Sequence, residues 1–304
     1  MGHDPLRGRT VVVTGAARGV GAALARDLSG RGARLALLGH EKPALEALAA
    51  ELPTRAAAWE VDVTDDAGMA AAAREVREIL GKPSVVVANA GVAEGGPFAE
   101  TDAASWRRVI DVNLTGSAVT ARTFLPDLTD TAGYYLQIAS LASIGAAPMM
   151  SAYCASKAGV EAFAHSLRAE VAHQRIAVGI AYLNWVDTDM IRDADRHAVL
   201  RELRSHMPPP ARRVHPVEKV AARLARAVER RRASVYVPGW LLAAQLGRAT
   251  LPPVVTHLSR WSLPRLAARE PFRPTGLLGA GGRADHVGSG SPGGGSPGGG
   301  SSRT

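Results

Sequence analysis

Short apolar runs and longer amphipathic segments alternate along most of the chain. The first run, TVVVT at residues 10–14, is rich in β-branched residues and is bounded by Gly8 and Gly15, which is typical of a buried strand. Residues 19–31 then place their apolar side chains at helical spacing. Five more strands follow in alternation with helices, and a last strand is predicted at residues 233–239. The pattern predicts an α/β fold: a doubly wound parallel sheet between two layers of helices, with right-handed crossovers.

A glycine-rich turn joins the first strand to the first helix. In TGAARGVG, residues 14–21, Gly15 permits a tight turn, while Gly19 and Gly21 let a pyrophosphate and the next strand approach the backbone. The helix that begins here directs its free N–H groups and its positive end toward the same place. Because the motif occupies the first βα turn, it predicts a dinucleotide site of the Rossmann type rather than a purely structural turn.

The end of the second strand bears on which dinucleotide is bound. A carboxylate is often found here, where it accepts hydrogen bonds from the ribose hydroxyls of NAD. This chain has Gly39 and His40 instead, with no carboxylate before Glu41, and Arg18 and Lys42 supply positive charge. Since a 2′-phosphate binds cationic groups, the sequence favours NADP(H), with NAD(H) as the alternative.

Tyr153 and Lys157 stand four residues apart in SAYCASKAGV, residues 151–160, so a helix would place them on one face. With ordinary pKa values of about 10 and about 10.4, neither group suits proton transfer at neutral pH unless its surroundings perturb it. A nearby positive charge would lower the pKa of the phenol. By itself the spacing is a weak signal, because most such pairs are solvated helix faces.

Together these motifs resemble the short-chain dehydrogenase/reductase family, in its single-domain subgroup, over residues 8 to about 240. The residues that carry the resemblance stand in the family's order: TGAARGVG at 14–21, Asp62 and Val63, ANAG at 88–91, Asn113 in VNLTG, Ser140 thirteen residues before Tyr153, and Tyr153 and Lys157 in Tyr-x-x-x-Lys. Each motif is weak alone, but the whole set in one order is specific.

The resemblance implies an NAD(P)(H)-dependent oxidoreductase that transfers hydride between nicotinamide and a carbonyl or secondary alcohol. Tyr153 would be the general acid or base, and Lys157 would lower its pKa and hold the nicotinamide ribose. Ser140 would bind the developing alkoxide, and Asn113 would fix a water that links Lys157 to solvent. The implied cofactor contacts are Gly15, Arg18, Gly19, Val20, Gly21, His40, Asp62, Val63, Asn89, Ala90, Gly91, Tyr153, Lys157, Val186 and Thr188.

One departure from the family lies after the sixth strand. Leu183 and Asn184 stand where the family usually has Pro-Gly, while Val186 and Thr188 still match. In the family this segment forms part of the nicotinamide pocket. The geometry on the substrate side is therefore the part that the resemblance specifies least.

The chain divides into three regions. Residues 8–240 form the dinucleotide-binding and catalytic domain, and residues 241–275 form an apolar and basic extension. Arginine and a Pro-Pro pair interrupt its apolar stretch, so we expect a helix packed over the substrate side rather than a transmembrane span, with a partner surface or an interfacial anchor as alternatives. Residues 276–304, rich in Gly, Ser and Pro, are predicted to be a disordered tail.

The formal net charge of +8 is unevenly distributed. Residues 191–273 contain 17 arginine and lysine residues against 6 aspartate and glutamate residues. Such a region suits nucleic acid, an anionic membrane or simply solvent. No zinc-ligand spacing or RNA-binding motif accompanies it, so no nucleic acid is expected, and peripheral membrane contact through residues 240–275 stays open. A non-catalytic nucleotide-binding or basic-surface scaffold on this fold is the alternative to an enzyme.

Other features bear on location and partners. Cys154 is the one cysteine, so no intrachain disulfide forms, and the first residues lack a secretory pattern; both favour the cytoplasm. The histidines show no metal-ligand grouping, so no metal is predicted. Trp185, Met190 and Met207 favour a hydrophobic ketone or alcohol as the small-molecule substrate, although the sequence does not name it. The resemblance implies a homodimer or homotetramer assembled through long helices.

Overall fold

The computed structural model follows the predicted alternation of strands and helices. It describes residues 5–269 and 271–282. In this part of the chain seven parallel strands form one sheet in the order β3-β2-β1-β4-β5-β6-β7. The strands are β1 (Thr10–Thr14), β2 (Arg34–Gly39), β3 (Ala56–Glu60), β4 (Pro83–Ala88), β5 (Tyr134–Ser140), β6 (Ala177–Leu183) and β7 (Ser234–Val237). The helices are α1 (Gly19–Gly30), α2 (Lys42–Glu51), α3 (Asp66–Leu80), α4 (Ala103–Ile110), α5 (Gly116–Asp130), α6 (Leu141–Ile144), α7 (Ser151–Glu170), α8 (Asp189–Ala194), α9 (Ala198–Ser205), α10 (Pro209–Arg212), α11 (Val217–Glu229), α12 (Leu241–Leu246) and α13 (Leu251–Arg269).

Helices cover both faces of the sheet, which explains why its strands are continuous apolar runs. In β1, Val12 belongs to one apolar core, whereas Val11 and Val13 belong to the other, and all three are fully buried. Successive side chains of a strand point to opposite faces, so a strand that is buried on both sides needs apolar residues at every position. The result is the three-layer Rossmann-like arrangement that the alternation predicts.

The position of the site follows from the strand order. β1 lies between β2 and β4, so the direction in which the chain builds the sheet reverses at this point. In open parallel sheets such a reversal leaves a crevice at the carboxyl ends of the strands. The glycine turn follows β1 and the segment at residues 89–96 follows β4, so both lie at this crevice.

The long helix expected around residues 104–128 is interrupted. α4 ends at Ile110, a π-helical turn spans Asp111–Thr115, and α5 begins at Gly116. A π-helical turn shifts the hydrogen-bond register of a helix and occurs frequently at functional sites. The turn is too short to change the apolar periodicity visibly, which is why the sequence predicted one continuous helix.

The C-terminal extension forms two helices rather than one. α12 packs against α6 and β7, and a 3-10 turn at Arg248–Thr250 connects it to α13. Within residues 5–269 and 271–282, each helix falls short of the length or the apolarity that a membrane span requires.

The prediction of a disordered tail from residue 276 does not hold for residues 276–282. Leu277 forms an antiparallel bridge with Glu94, and Leu278 is 1% exposed. Two adjacent leucines in an otherwise glycine-rich stretch were the overlooked signal, because they supply apolar surface that the domain buries. The rest of the predicted tail, residues 283–304, lies outside the described residues.

Candidate active site

Tyr153 and Lys157 lie on one face of α7, as their spacing predicts. The Lys157 Nζ is 5.7 Å from the centre of the Tyr153 ring and donates a 3.3 Å hydrogen bond to the carbonyl oxygen of Ile138 in β5. Lys157 is only 5% exposed, whereas Tyr153 is partly exposed. A Cβ at Gly91 would lie 3.1 Å from the Oδ1 of Asn113, which is tighter than an ordinary contact, and 3.5 Å from the same Nζ. The pair is therefore an internal arrangement and not a solvated helix face.

Ser140 ends β5 and also caps α6. Its Oγ accepts a hydrogen bond from the backbone N–H of Ala142 (3.1 Å) and is within hydrogen-bonding reach of the Tyr153 hydroxyl. The neighbouring Ser143 donates to the carbonyl oxygen of Lys157 (2.7 Å), which ties α6 to α7. Ser140 is thus both a helix cap and a hydroxyl placed beside the phenol.

Asn113 lies in the π-helical turn and is 1% exposed. Its Oδ1 accepts from the Val92 backbone N–H (2.8 Å), and its Nδ2 donates to the Val92 carbonyl oxygen and to the Ser156 Oγ, both at 2.9 Å. Ser156 lies on α7 between Tyr153 and Lys157. The amide therefore fixes the segment after β4 against the catalytic helix. Its role in holding a water stays a prediction.

Loss of hydration dominates the pKa values at this site. Burial raises the pKa of Tyr153, and the hydrogen bond with Ser140 acts in the opposite direction. Burial also lowers the pKa of Lys157 to about 8. That the charges of Lys157 and of an oxidised nicotinamide ring lower the pKa of the phenol stays a prediction.

The glycine turn is held by the segment after β4. Asn89 donates from Nδ2 to the carbonyl oxygen of Gly15 (3.1 Å), and a Cβ at Gly21 would overlap both groups. Gly19 has φ +55°, and a Cβ there would lie 3.2 Å from the methyl group of Thr188. Only glycine fits these positions, so the backbone of the turn stays bare toward the crevice.

Most of the predicted cofactor contacts line one continuous crevice. At one end it carries the bare turn and a cation, and at the other end Tyr153 with Lys157. These features fit a nicotinamide dinucleotide. The predicted residues that line the crevice are Gly15, Arg18, Gly19, Val20, His40, Val63, Asn89, Ala90, Gly91, Tyr153, Lys157, Val186 and Thr188. Gly21, Asn113 and Ser140 do not line it themselves but adjoin residues that do.

Asp62 does not itself line the crevice, and its predicted role at the adenine ring stays a prediction. Its Oδ2 accepts from Arg108 (2.7 Å), and its Oδ1 accepts from the backbone N–H of Thr64 (2.8 Å). Burial alone would raise the pKa of Asp62, but these hydrogen bonds lower it. Val61 and Val63 line the crevice on either side, so the wall here is apolar.

The guanidinium group of Arg18 is bound by two carboxylates. Its Nε donates to Glu41 (2.7 Å), a second N–H contacts the other oxygen of Glu41, and NH1 lies 3.2 Å from Asp189. The hydrogen bond to Glu41 raises the pKa of Arg18. Sequence reasoning treated Arg18 as a free cation. The pairing with Glu41 was missed because its side chain faces back to the glycine turn. The pairing with Asp189 was missed because that residue is 171 positions away in the sequence.

The segment after β6 keeps its matching residues at the crevice despite the departure from the family pattern. The backbone N–H of Asn184 continues the β6–β7 pairing to Val237 (3.1 Å), and its Nδ2 donates to the carbonyl oxygen of Ala211 (3.0 Å). Both Val186 and Thr188 then line the crevice. Asn184 replaces the turn that Pro-Gly would form by tying this segment to α10.

Residues 274–282, which we call the C-terminal strap, cross the crevice. Thr275 exchanges two hydrogen bonds with Gly95, at 2.8 and 2.9 Å, and the Leu278 N–H donates to the Ala93 carbonyl oxygen (2.8 Å). The strap from Leu278 to residue 282 lines the same crevice as the glycine turn. This contribution to the site was absent from the sequence-based predictions.

An apolar cluster lies beside Tyr153. It brings the strap together with α8, α9 and the segment before α7. Gly279 anchors the strap here, since its N–H donates to Asp193 of α8 (2.8 Å). The cluster consists of buried Ala93, Ala194, Leu200 and Leu278, with Met149, Met150, Tyr153 and Met190 packed against them.

Comparison with known proteins agrees with this geometry. A family model described as short chain dehydrogenase matches residues 9–198. The chain is 35% identical to a galactitol 2-dehydrogenase (L-tagatose-forming) of Cereibacter sphaeroides over 80% of this chain and 95% of the relative. It is 37% identical to a meso-2,3-butanediol dehydrogenase of Serratia marcescens over 50% and 61%, respectively. A short chain dehydrogenase/reductase from Burkholderia phymatum, solved in complex with NAD, superposes with a TM-score of 0.70 at 25% identity, covering 80% of this chain and 93% of that one.

We predict that Lys157→Met stabilises the protein at pH 7 while it weakens cofactor binding. A lysine whose folded pKa is about 8 binds its proton less tightly than the unfolded chain does, so the buried charge costs stability below pH 8 and the cost declines as pH rises toward 10. A net gain of about 1 kcal/mol would raise Tm by about 2–4 °C. Thermal melts at pH 7 and pH 10 measure the effect.

The exposed Lys219 of α11 provides the matched control. Lys219→Met should leave Tm nearly unchanged at both pH values. A Tm difference between Lys157→Met and the wild type that is the same at pH 7 and pH 10 would contradict the assignment of a costly buried charge.

Proposed function

This chain belongs to the short-chain dehydrogenase/reductase family, and from that premise we propose that Tyr153 is the proton donor and acceptor of an NAD(P)(H)-dependent oxidoreductase acting on a carbonyl or secondary alcohol. The observation that carries the proposal is the placement of the Tyr153 phenol beside the Ser140 hydroxyl and the buried Lys157 ammonium group, at the crevice that the glycine turn also lines. The dehydrogenase relatives favour this function over a non-catalytic scaffold.

The proposed mechanism assigns one task to each side chain. When bound, a nicotinamide cofactor supplies or accepts the hydride. In the reductive direction Tyr153 donates its proton to the substrate's carbonyl oxygen, and in the oxidative direction it accepts the proton of the hydroxyl group. Ser140 donates a hydrogen bond to the same oxygen as negative charge develops there. The Lys157 charge stabilises the phenolate that remains on Tyr153.

Asn113 acts as a positioning residue in this proposal. Its amide holds the backbone of Val92 and the hydroxyl of Ser156, and thereby keeps Gly91 and α7 in register. The family resemblance adds a water between Asn113 and Lys157 that would return protons from solvent. The burial of Lys157 supports the need for such a route, because its ammonium group has little direct contact with solvent.

We predict that Tyr153→Phe lowers kcat by at least about 1,000-fold, because the variant loses the transferable proton but keeps the ring. The dissociation constant for the cofactor should change by less than about threefold, since the phenol oxygen is the only atom removed. Stopped-flow or steady-state absorbance of the nicotinamide, with fluorescence titration of the cofactor, measures both quantities. Near-normal turnover in this variant would refute the assigned proton donor.

Within this function we favour NADP(H) over NAD(H). Arg18 and His40 line the end of the crevice next to the bare glycine turn, and neither position 39 nor position 40 carries a carboxylate. Glu41 acts against this preference, because its carboxylate occupies Arg18. A 2′-phosphate would have to replace Glu41 as the partner of Arg18.

Glu41→Gln tests the cofactor preference. Removing the competing carboxylate should lower the dissociation constant for NADPH about five- to tenfold and change that for NADH by less than about twofold. Arg18→Met should weaken NADPH and spare NADH. Titration of protein fluorescence with each cofactor gives the values. Tighter NADH than NADPH binding in the wild type, or a selective loss of NADH binding in Glu41→Gln, would show instead that Glu41 holds the ribose hydroxyls of NAD(H).

We further propose that the substrate is a small molecule with an apolar group. The support comes from the wall beside Tyr153, where Met190 and Leu278 line the crevice and belong to the apolar cluster. Trp185 and Met207, singled out in the sequence, are not members of this cluster. An apolar wall next to the reacting oxygen favours substrates that bury hydrocarbon there.

Leu278→Ala should selectively impair longer apolar substrates. With 2-alkanones of increasing chain length, kcat/KM of the wild type should rise with length, and the variant should lose about tenfold for the longest ketones and little for butanone. Leu246→Ala, at a residue that is 82% exposed on α12, is the control and should leave the series unchanged. An equal loss for all chain lengths would mean that Leu278 supports the fold and not specificity.

Two further assignments, the location of the protein and its oligomeric state, complete the proposal. The single cysteine supports a cytoplasmic location. The family resemblance supports a homodimer or homotetramer formed through the long helices. No group of three or more potential metal ligands occurs among the described residues, and the absence of a metal cofactor stays a prediction.

A further inference from the structure

Large exposed apolar side chains are concentrated on α12 and α13. Their exposed fractions range from 47% to 82%, far above what a core residue retains. Since contiguous apolar surface is uncommon on a monomeric protein, this region is a candidate docking surface. We call it the α12–α13 face; its apolar members are Leu242, Leu246, Val254, Leu258 and Trp261.

α13 has apolar residues on two sides. Val254, Leu258 and Trp261 follow one another at helical spacing and are 51–61% exposed, so they form one outward stripe. A second side, about a third of a turn around the helix, carries buried Leu266 and partly buried Val255. A helix that is also apolar outside its packed side needs a second apolar surface to bind to.

The charge around this face indicates which kind of surface binds to it. From Arg230 to Arg269 the sequence contains seven arginines and no aspartate or glutamate. Arg265 continues the outward stripe one turn after Trp261, and Arg260 adjoins it in sequence. A two-fold interface with a second copy of the chain would bring these positive charges against each other. A surface with negative charge above an apolar layer matches both properties.

We propose that the α12–α13 face docks on the surface of a bilayer that contains anionic phospholipids. The leucines, Val254 and Trp261 enter the interfacial layer, and the arginines contact the negatively charged headgroups. The contact is peripheral, since neither helix meets the requirements of a membrane span. Tryptophan at such a position is favourable because its ring is amphipathic.

The start of α13 lies close to the segment that leads to the apolar cluster. A Cβ at Gly145 would lie 3.3 Å from Leu251, the first residue of α13. Gly145 begins the segment that carries Met149 and Met150 of the apolar cluster beside Tyr153. Delivery of an apolar substrate from the membrane rests on the proposed function, whereas the docking itself does not.

Vesicle co-sedimentation tests the docking directly, without cofactor or substrate. The full chain should bind phosphatidylcholine vesicles that contain about 30 mol % phosphatidylserine at least about tenfold more tightly than pure phosphatidylcholine vesicles, and added salt should weaken this binding. Leu258→Ser with Trp261→Ser, and separately Arg260→Gln with Arg265→Gln, should each weaken binding about tenfold.

The controls separate docking from folding and from catalysis. Ile79→Ser, at a residue 40% exposed on α3, should leave vesicle binding unchanged. All variants should keep cofactor binding and turnover of a water-soluble ketone, so a failure of the proposed function would appear in those assays and not in sedimentation. Absence of vesicle binding, or binding indifferent to phosphatidylserine, would overturn the proposal. So would a dimer in analytical ultracentrifugation that Leu258→Ser with Trp261→Ser dissociates, because a second copy would then cover the face.

Discussion

The buried ammonium group of Lys157 is the constraint on which the site depends. Lys157 is only 5% exposed, so its ammonium group needs polar partners, and the carbonyl oxygen of Ile138 in β5 supplies one. Asn113 fixes Val92 and Ser156 beside it, and a Cβ at Gly91 would crowd the Asn113 Oδ1 at 3.1 Å. The sheet edge, the turn after β4 and α7 must therefore hold one arrangement, and that arrangement sets Tyr153 beside Ser140.

Local patterns in the sequence predicted those parts of the structure that depend on residues close together in the chain. Strands buried on both faces read as continuous apolar runs, and a spacing of four residues places Tyr153 and Lys157 on one helix face. Gly21 was predictable because its position in the turn excludes any Cβ. The strand order added the location of the crevice, since the chain reverses its direction of building at β1.

Features that depend on distant parts of the chain were not predictable in the same way. The carboxylates that bind Arg18 come from two separate elements, and the fold alone brings Asp189 to the glycine turn. Asp62 matched the family motif, but the pairing of its carboxylate with Arg108, 46 residues away, was not visible in the sequence. The strap was missed because composition predicts whether a segment can form its own core. It does not predict whether a segment supplies two leucines to a core that already exists.

The two C-terminal elements differ in how they use their apolar residues. The strap buries Leu278 in the apolar cluster beside Tyr153 and forms backbone hydrogen bonds to residues 93–95. α12 and α13 instead leave apolar side chains outside, surrounded by arginines. The dehydrogenase core thus carries the strap, which lines the site, and α12 with α13, which present an apolar surface to a partner. Leu251 of α13 lies close to Gly145, which begins the segment that carries Met149 and Met150 of the apolar cluster. Both C-terminal elements therefore adjoin the segment before α7, the strap through the cluster and α13 through Gly145.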